Sequence, residues 1–350
     1  MKICSLAISL ISFMRQYKKL NLNRLNLAFT PALLIFLITA CNSNPSKKSV
    51  LAPQVDGKWW QLTNTYPDIS PYKYTEGDNK VCDFTIFQAQ DSTWQLIACV
   101  RGNTYPGSNR FLYRWEAKNL TDTLWKEKGV FLSTGTKNEP DGWGTTLDTL
   151  LYKQEGLIQA PYCVTDNHKY FLFYNDKGSY CMSGNNGKEW EHLKNDSGSY
   201  KFFDMGRDQM IFDDRESSGK WIAYYTHGGN YPQYMAARTC STLTGIWSEE
   251  KMVYDGFSNT RNPIYRNEFA ESPFVIKKDK TYYLFAQLHV FVSFDPLNFK
   301  SNEKVANLES SVYEERAWAP EIIKNSKGQL YIAAYRVNGI WMAKLKFSDL

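Results

Sequence analysis

The sequence predicts an all-β fold, a five-bladed β-propeller with a central axial substrate pocket, and three observations support this prediction. A strand–turn–strand pattern recurs five times, with copies beginning at Asp83, Ala160, Asp208, Glu271 and Ala319. Aromatic residues make up 15% of the chain and the mean hydropathy is −0.48, which suits a soluble β-rich domain with an extensive core. No segment sustains the apolar spacing of a long helix.

Each copy consists of two strands rich in β-branched and aromatic residues, joined by a polar turn. The copies begin about 48 to 78 residues apart, and a four-stranded blade needs about 40 to 50 residues. Five blades therefore fill residues 59–350, and a residue at one fixed place in each blade converges on a shared axis. Residues 58–62 are predicted to form an isolated strand before the first blade. In chain order, the five strand pairs are residues 83–87 and 94–98, 160–164 and 170–174, 208–212 and 221–225, 271–276 and 282–285, and 319–323 and 330–335.

The first forty residues have the order of a bacterial lipoprotein signal: a basic stretch, an apolar run and small residues, followed by Cys41. This order predicts a signal peptide over residues 1–40, lipid on the thiol of Cys41, and a polar tether over residues 41–57. The propeller domain is expected over residues 58–350. An ordinary signal peptide or a short membrane anchor is the alternative. The expected location is the bacterial cell envelope, lipid-anchored, facing the periplasm or the surface.

The charge of the chain is concentrated in this leader. Residues 1–40 hold five basic residues and no acid, so the remaining chain carries 36 basic and 36 acidic residues. A domain with equal numbers of basic and acidic residues has no bulk electrostatic attraction for nucleic acid. Its expected contact with a membrane is through the lipid anchor alone.

Five cysteines follow Cys41, an odd number without the CxxC spacing of a zinc site. Most lie inside apolar strands, where a cysteine is a small buried side chain. A disulfide between Cys163 and Cys181 in adjacent strands stays open as an alternative in an oxidising periplasm.

Three of the five copies begin with an acid: Asp83 in the first, Asp208 in the third and Glu271 in the fourth. Acids at strand starts also serve to bond turn amides, but three at one place in a radial array predict a cluster of carboxyl groups on the axis. Such a cluster suits glycoside hydrolysis, which needs a protonated carboxyl for the leaving oxygen and an ionised carboxyl that activates water or attacks carbon. A third carboxylate raises the pKa of the acid by like-charge repulsion.

With these motifs, the chain resembles the five-bladed propellers of glycoside hydrolase family 43 and, next to it, family 32. Arg207-Asp208-Gln209 is similar to an Arg-Asp-Pro element and Glu271-Ser272-Pro273 to a Glu-Cys-Pro element of family 32. The resemblance implies that Asp83 is the general base, Glu271 the general acid, and Asp208 the residue that modulates the pKa of the acid. Two departures are that Phe84-Thr85 follows the first acid and that an Ala-Pro-Glu element lies in the last copy. Glu321 is therefore a reserve acid, and Asp204 and Glu268 lie close enough in sequence to exchange roles with the chosen acids.

Other residues are candidates for sugar contacts through stacking or hydrogen bonding. The alternative is packing for the aromatic residues, a satisfied or surface position for the histidines, and restraint of a catalytic carboxylate for the arginines. The candidates are Trp143, Arg207, His227, His289 and Trp318, with Tyr231 and Arg316 as further ones. No cofactor is expected. Related propellers sometimes hold calcium on the axis, so a structural calcium ion is compatible with the resemblance, although no dense Asp/Asn loop specifies one.

The sequence therefore predicts a glycosidase that removes terminal arabinofuranosyl or xylosyl groups from plant or algal oligo- or polysaccharides, with inversion as the first expectation. A retaining β-fructosidase-like hydrolase, with Asp83 as nucleophile, uses the same acids. A propeller that binds glycans without cleaving them, or one that binds proteins, is the non-enzymatic alternative.

Overall fold

A computed structural model shows how the strands associate. Twenty-one strands are found in the described residues, where no helix is long and apolar enough to cross a membrane. The described residues are 50–75, 80–105, 110–133, 158–176, 178–204, 206–227, 233–256, 270–308, 317–336 and 338–349. Cys41, Trp143, Tyr231, Glu268 and Arg316 lie outside them, so the expectations for these residues stay predictions.

The strands form five antiparallel sheets, four of them built from consecutive parts of the chain, and this confirms the predicted five-bladed propeller. Blade 1 consists of β2 (Val81–Gln88), β3 (Trp94–Arg101), β4 (Arg110–Ala117) and β5 (Lys126–Leu132). Blade 2 consists of β6 (Gln159–Asp166), β7 (Lys169–Asn175), β8 (Ser179–Gly184) and β10 (Lys201–Phe203), with β9 (Glu191–His192) paired to β8.

The next two blades have the same order. Blade 3 consists of β11 (Arg207–Asp213), β12 (Trp221–His227), β13 (Tyr234–Cys240) and β14 (Lys251–Tyr254), with a short helix α1 (Arg215–Ser218) between the first two strands. Blade 4 consists of β15 (Pro273–Lys278), β16 (Thr281–Ala286), β17 (His289–Ser293) and β18 (Lys304–Asn307), with a 3₁₀ turn (Ser301–Glu303) before the last strand.

Blade 5 joins the two ends of the described chain. Its inner strands are β19 (Trp318–Lys324), β20 (Leu330–Arg336) and β21 (Gly339–Asp349), and β1 (Leu51–Gln61) pairs antiparallel with β21 as its outer strand. The prediction of an isolated strand at residues 58–62 was therefore wrong, because those residues belong to a blade. The predicted tether also ends too late, since β1 begins at Leu51.

The strands that lead each blade, β2, β6, β11, β15 and β19, contact one another in a ring around the axis. Apolar side chains fill the spaces between neighbouring blades, including the fully buried Trp115 and Trp221. These aromatic side chains are buried because both faces of each sheet carry apolar residues. A sheet that packs against others on both sides needs apolar residues on both faces.

The described cysteines are all free thiols. Cys163 lies opposite Leu172 and Cys181 opposite Phe173, so strand β7 separates the two cysteines. The disulfide between them does not form. Cys82 and Cys99 are instead direct cross-strand partners in blade 1.

A buried acid joins the last blade to the first. Glu321 is 6% exposed, and its carboxylate accepts hydrogen bonds from the Thr85 hydroxyl at 3.0 Å and from the Ile86 backbone N–H at 3.0 Å. Thr85 in turn accepts from the backbone N–H of Cys163 in blade 2 at 3.1 Å. Burial raises the pKa of Glu321 well above its ordinary value. Glu321, which the sequence offered as a reserve acid, therefore links blade 5 to blade 1, where the ring of five blades closes.

We expect Glu321→Ala to lower the free energy of unfolding by about 2–5 kcal/mol, because it leaves two buried donors without an acceptor at about 1–3 kcal/mol each and removes side-chain packing. Glu321→Gln keeps one acceptor oxygen, so its loss should be smaller. Denaturant titration followed by tryptophan fluorescence measures both. Glu303→Ala, at an exposed position, is the matched control. An equal loss for Glu321→Ala and Glu303→Ala would contradict the role of the buried acid.

Candidate active site

A residue in the left-handed backbone region lies at the start of each inner strand, and in blades 1, 2, 3 and 5 it belongs to a β-bulge. In blade 3, Asp208 and Gln209 lie between the cross-strand pairs Arg207–Thr226 and Met210–Tyr224, so two residues face one on the partner strand. The first residue of such a bulge takes the left-handed conformation, which is uncommon for residues other than glycine. In the five blades its φ is 27° at Asp83, 49° at Ala160, 56° at Asp208, 53° at Ser272 and 47° at Ala319.

The position of the left-handed residue in each blade changes the alignment of the three acids that the sequence predicted. Asp83 and Asp208 are the left-handed residues of their blades, but the left-handed residue of blade 4 is Ser272, and Glu271 precedes it. The prediction that Glu271 shares the place of the other two acids was therefore wrong by one residue. Glu271 instead corresponds to Arg207 of the neighbouring blade 3. This register explains why these two side chains meet.

Arg207 links two of the acids. Its Nη1 donates to Oδ2 of Asp208 at 3.3 Å and forms a close ion pair with Oε1 of Glu271. The sequence offered two roles for Arg207, contact with substrate hydroxyls or restraint of a catalytic carboxylate, and its guanidinium bonds two candidate catalytic carboxylates. The Thr226 hydroxyl adds a second link between blades 3 and 4, because it bonds the Asp208 carboxylate and accepts from the Ser272 N–H at 3.0 Å.

The two linked acids differ in exposure. The Asp208 side chain is 7% exposed, whereas the Glu271 side chain is 29% exposed and that of Arg207 is 26% exposed. Glu271 can therefore meet a ligand that enters from solvent. Asp208 lies behind Arg207 and is placed to act on its neighbours.

Burial dominates the electrostatics of the cluster. It raises the pKa of Asp208 to about 7, with further increases from the charges of Asp83 and Glu271 and a decrease from Arg207. Burial also raises the pKa of Asp83, and Glu271 adds to this increase while Arg101 opposes it. Burial and the neighbouring negative charges therefore favour the protonated forms of Asp83 and Asp208.

Below the acids, the axis is a narrow channel. Small residues and prolines of the bulges form its walls at Ala160, Pro161, Pro273, Ala319 and Pro320. These positions in the second and fifth copies were predicted to be walls, and the channel confirms this for blades 2 and 5. Asp83 and Asp208 also line this cavity, so both carboxyl groups border the axis.

Three further residues surround Asp83 and were not found from the sequence. Arg101 and Arg110 oppose the rise that burial causes in the pKa of Asp83, and burial, together with the charge of Asp83, raises the pKa of Tyr335. Arg101 ends β3 opposite Arg110, which begins β4, and both lie at the end of blade 1 that carries Asp83. The sequence signal for Arg101 and Arg110 was a basic residue on each side of the loop that joins β3 to β4. Tyr335 stacks on the predicted sugar contact Trp318, with ring centroids 5.9 Å apart.

His227 lies one strand away from the axis. It follows Thr226 at the end of β12, and its Nδ1 lies 2.9 Å from Oε2 of Glu250. Glu250 also accepts hydrogen bonds from the hydroxyls of Tyr225 and Tyr234, each at 2.7 Å, and these bonds lower the pKa of Glu250. The His227 ring stacks on Tyr234 at 4.3 Å. An ionised Glu250 holds the proton of the imidazole on Nδ1, so Nε2 is the nitrogen left for a ligand.

The other predicted residues are placed less favourably for contact with a ligand. His289 is 4% exposed and lies opposite Ala286 and Asn307, so its ring is enclosed within blade 4. Asp204 is exposed and pairs with Lys201 at 3.2 Å, away from the carboxyl cluster. Within the described part of the chain, no group of three His, Cys, Asp or Glu side chains is arranged to hold a metal ion.

The chain matches no protein-family model and no curated protein sequence. Solved structures are similar to it in fold. A thermostable family-43 glycoside hydrolase covers 79% of this chain and 93% of its own, with a TM-score of 0.53 and 17% identity. The catalytic domain of the family-62 α-L-arabinofuranosidase of Coprinopsis cinerea covers 83% and 97%, with a TM-score of 0.54 and 10% identity. The α-L-arabinofuranosidase PaAbf62A of Podospora anserina, solved with cellotriose, covers 83% and 96%, with a TM-score of 0.52 and 12% identity. The chain therefore shares its five-bladed β-propeller fold with glycoside hydrolases of families 43 and 62.

Proposed function

We propose that this protein is a glycoside hydrolase that removes a terminal arabinofuranosyl or xylosyl group from plant or algal oligo- or polysaccharides. The observation that carries the proposal is the contact of Arg207 with both Asp208 and Glu271, next to an Asp83 whose charge interacts with both acids. The similar folds support the reaction class, since they include two α-L-arabinofuranosidases and a family-62 hydrolase solved with xylotriose.

The exposures of the acids support the assigned roles. Glu271, the more exposed member of the linked pair, donates its proton to the glycosidic oxygen as the bond to the anomeric carbon breaks. Asp83 takes a proton from the water that attacks this carbon from the opposite side. The sugar leaves with the oxygen of the water, and both carboxyl groups return to their starting states by proton exchange with solvent.

Asp208 and Arg207 act on this pair. Arg207 fixes the direction of the Glu271 carboxyl through their ion pair, and the buried Asp208 holds Arg207 in place by accepting a hydrogen bond from its Nη1.

A retaining reaction is the second candidate, with Asp83 attacking the anomeric carbon directly. A non-catalytic glycan-binding protein is the third. Lipidation of Cys41 would place any of these on the envelope, where large glycans arrive before uptake.

Hydrolysis of a panel of 4-nitrophenyl glycosides, arabino- and xylo-oligosaccharides and fructans tests the reaction. We expect Asp83→Asn to lower kcat about 10²–10⁴-fold on every substrate, since general base catalysis contributes this much. Glu271→Gln should lower kcat far more on oligosaccharides than on 4-nitrophenyl glycosides, because nitrophenolate leaves without protonation. Asp204→Asn, at an exposed acid outside the cluster, is the control.

NMR of the first anomer released separates inversion from retention. A wild-type protein that binds sugars in the panel but cleaves none would rule out the enzyme and leave the glycan-binding alternative.

Asp208 also predicts how stability depends on pH. Because its pKa is raised from 3.8 to about 7, the folded protein keeps a proton that the unfolded chain loses between these values. This contribution to stability is complete below about pH 4 and is lost as pH rises through about 7. We expect Asp208→Asn, which is neutral throughout, to lose less stability than the wild type between these limits. Urea denaturation across this range measures the difference, with Asp204→Asn as control, and parallel profiles for all three proteins would contradict it.

A further inference from the structure

Two cysteines of blade 1 lie opposite each other beside Asp83. Cys82 in β2 and Cys99 in β3 are direct cross-strand partners, and they are 1% and 0% exposed. Direct partners in an antiparallel sheet place their side chains on the same face. The two thiols are hydrogen-bonded to each other, and the Cys99 thiol also donates to the backbone oxygen of Ile158 at 3.6 Å. The two sulfur atoms therefore lie next to each other in the apolar space between blades 1 and 2.

The backbone at this pair has the dimensions that a disulfide needs. Opposite residues of an antiparallel pair have Cα atoms about 4.5 or 5.5 Å apart, depending on whether the pair is hydrogen-bonded. A disulfide spans Cα separations of about 4.4–6.8 Å, so either separation allows the bond without a change of register. The other described cysteines have different partners: Cys163, Cys181 and Cys240 lie opposite Leu172, Phe173 and Trp221.

The pair is located where the strand pairing changes. Cys82 is the last partner of the regular ladder before Asp83, whose left-handed backbone shifts the register so that Phe84 pairs with Ala98. A covalent bond at this point fixes the separation of the two strands at the base of the bulge that carries Asp83. Packing of two small apolar side chains is the alternative role of such a pair.

We propose that Cys82 and Cys99 are an oxidation site, which forms a disulfide bond as the protein folds in the presence of a disulfide oxidant and so secures β2 to β3 next to Asp83. The envelope location expected from the leader offers such conditions. The inference goes beyond the proposed hydrolysis and does not depend on it.

The step exchanges one disulfide for another. The thiolate of one cysteine attacks the disulfide of the oxidant, forms a mixed disulfide and releases one thiolate. The thiolate of the second cysteine then attacks the sulfur of the first, forms the internal S–S bond and releases the second thiolate. The two protons of the cysteine thiols pass to these leaving thiolates. The cysteines are thereby oxidised by two electrons, and the oxidant is reduced to two thiols.

Burial determines when the step occurs. The hydrogen bond with Cys99, together with burial, raises the pKa of Cys82 well above its ordinary value. In the folded chain Cys82 is therefore a thiol, and the thiolate is the form that attacks a disulfide. Both side chains are also enclosed, so an oxidant reaches them poorly. We therefore expect the bond to form during folding, before the pair is buried.

Refolding of the full chain with glutathione disulfide, followed by alkylation of free thiols in denaturant and peptide mass spectrometry, tests the site. Trypsin cleaves after Lys80 and Arg101 and at no position between them, so both cysteines lie in one peptide. We expect this peptide to carry no alkyl group and to be lighter by two hydrogen atoms than its dithiol form. Chymotryptic cleavage between the two cysteines should leave two chains joined by the bond.

Thermal unfolding measures what the bond does to the fold. A disulfide that closes a loop of this length should raise the unfolding midpoint of the oxidised wild type by about 5 °C over the same protein reduced with a phosphine. Cys99→Ala should lose this difference, whereas Cys181→Ala, at another buried cysteine, should keep it. Each protein is compared with itself in two redox states, so the effect of the substitution on packing cancels.

Alkylation of both cysteines after refolding, or glutathione attached to either one without the internal bond, would overturn the inference. An internal bond that leaves the unfolding midpoint unchanged would contradict its role in securing the strands. Oxidation of the folded, reduced protein as fast as of the unfolded chain would contradict the order of oxidation and burial. None of these measurements uses a sugar, so failure of the proposed hydrolysis leaves their result unaffected.

Discussion

Each inner strand of the propeller opens with a residue in the left-handed backbone region, and this bulge determines which side chains meet at the axis. A residue other than glycine costs roughly 1–2 kcal/mol in this conformation. The ring of five inner strands holds five of them, from Asp83 to Ala319, which the packing of the blades must stabilise. Two bulges carry acids and the other three carry small residues. The same backbone feature therefore supplies both the carboxyl groups and the open channel between them.

The bulge also explains the charge pairing across blades. Residues one position before it, such as Arg207 and Glu271, face each other across neighbouring blades, and Asp208 lies beneath them. Burial concentrates these charges in a region of low polarity, where their mutual effects are large. One guanidinium thus orients a candidate acid and partly offsets the charge of a buried carboxylate.

Ring closure keeps this geometry in place. Strand β1 completes the last blade beside β21, and the buried Glu321 joins that blade to Thr85 and Ile86 of the first. A shift of blade 5 relative to blade 1 would move Asp83, which is two residues from Thr85, relative to the acids of blades 3 and 4. The stability of the contact between these two blades and the arrangement of the carboxyl groups are therefore coupled.

The sequence by itself determined the strand repeat, the number of blades and the three acids at blade starts, because alternating aromatic strands and polar turns are local signals that recur. It could not determine the register of Glu271, since a one-residue bulge leaves no mark in the pattern of apolar residues. The place of residues 51–61 in the last blade and the pairing of Arg101 with Arg110 depend on contacts between distant or looped segments. The tertiary structure alone decided which charges lie within reach of Asp83, because burial and distance between blades set those interactions.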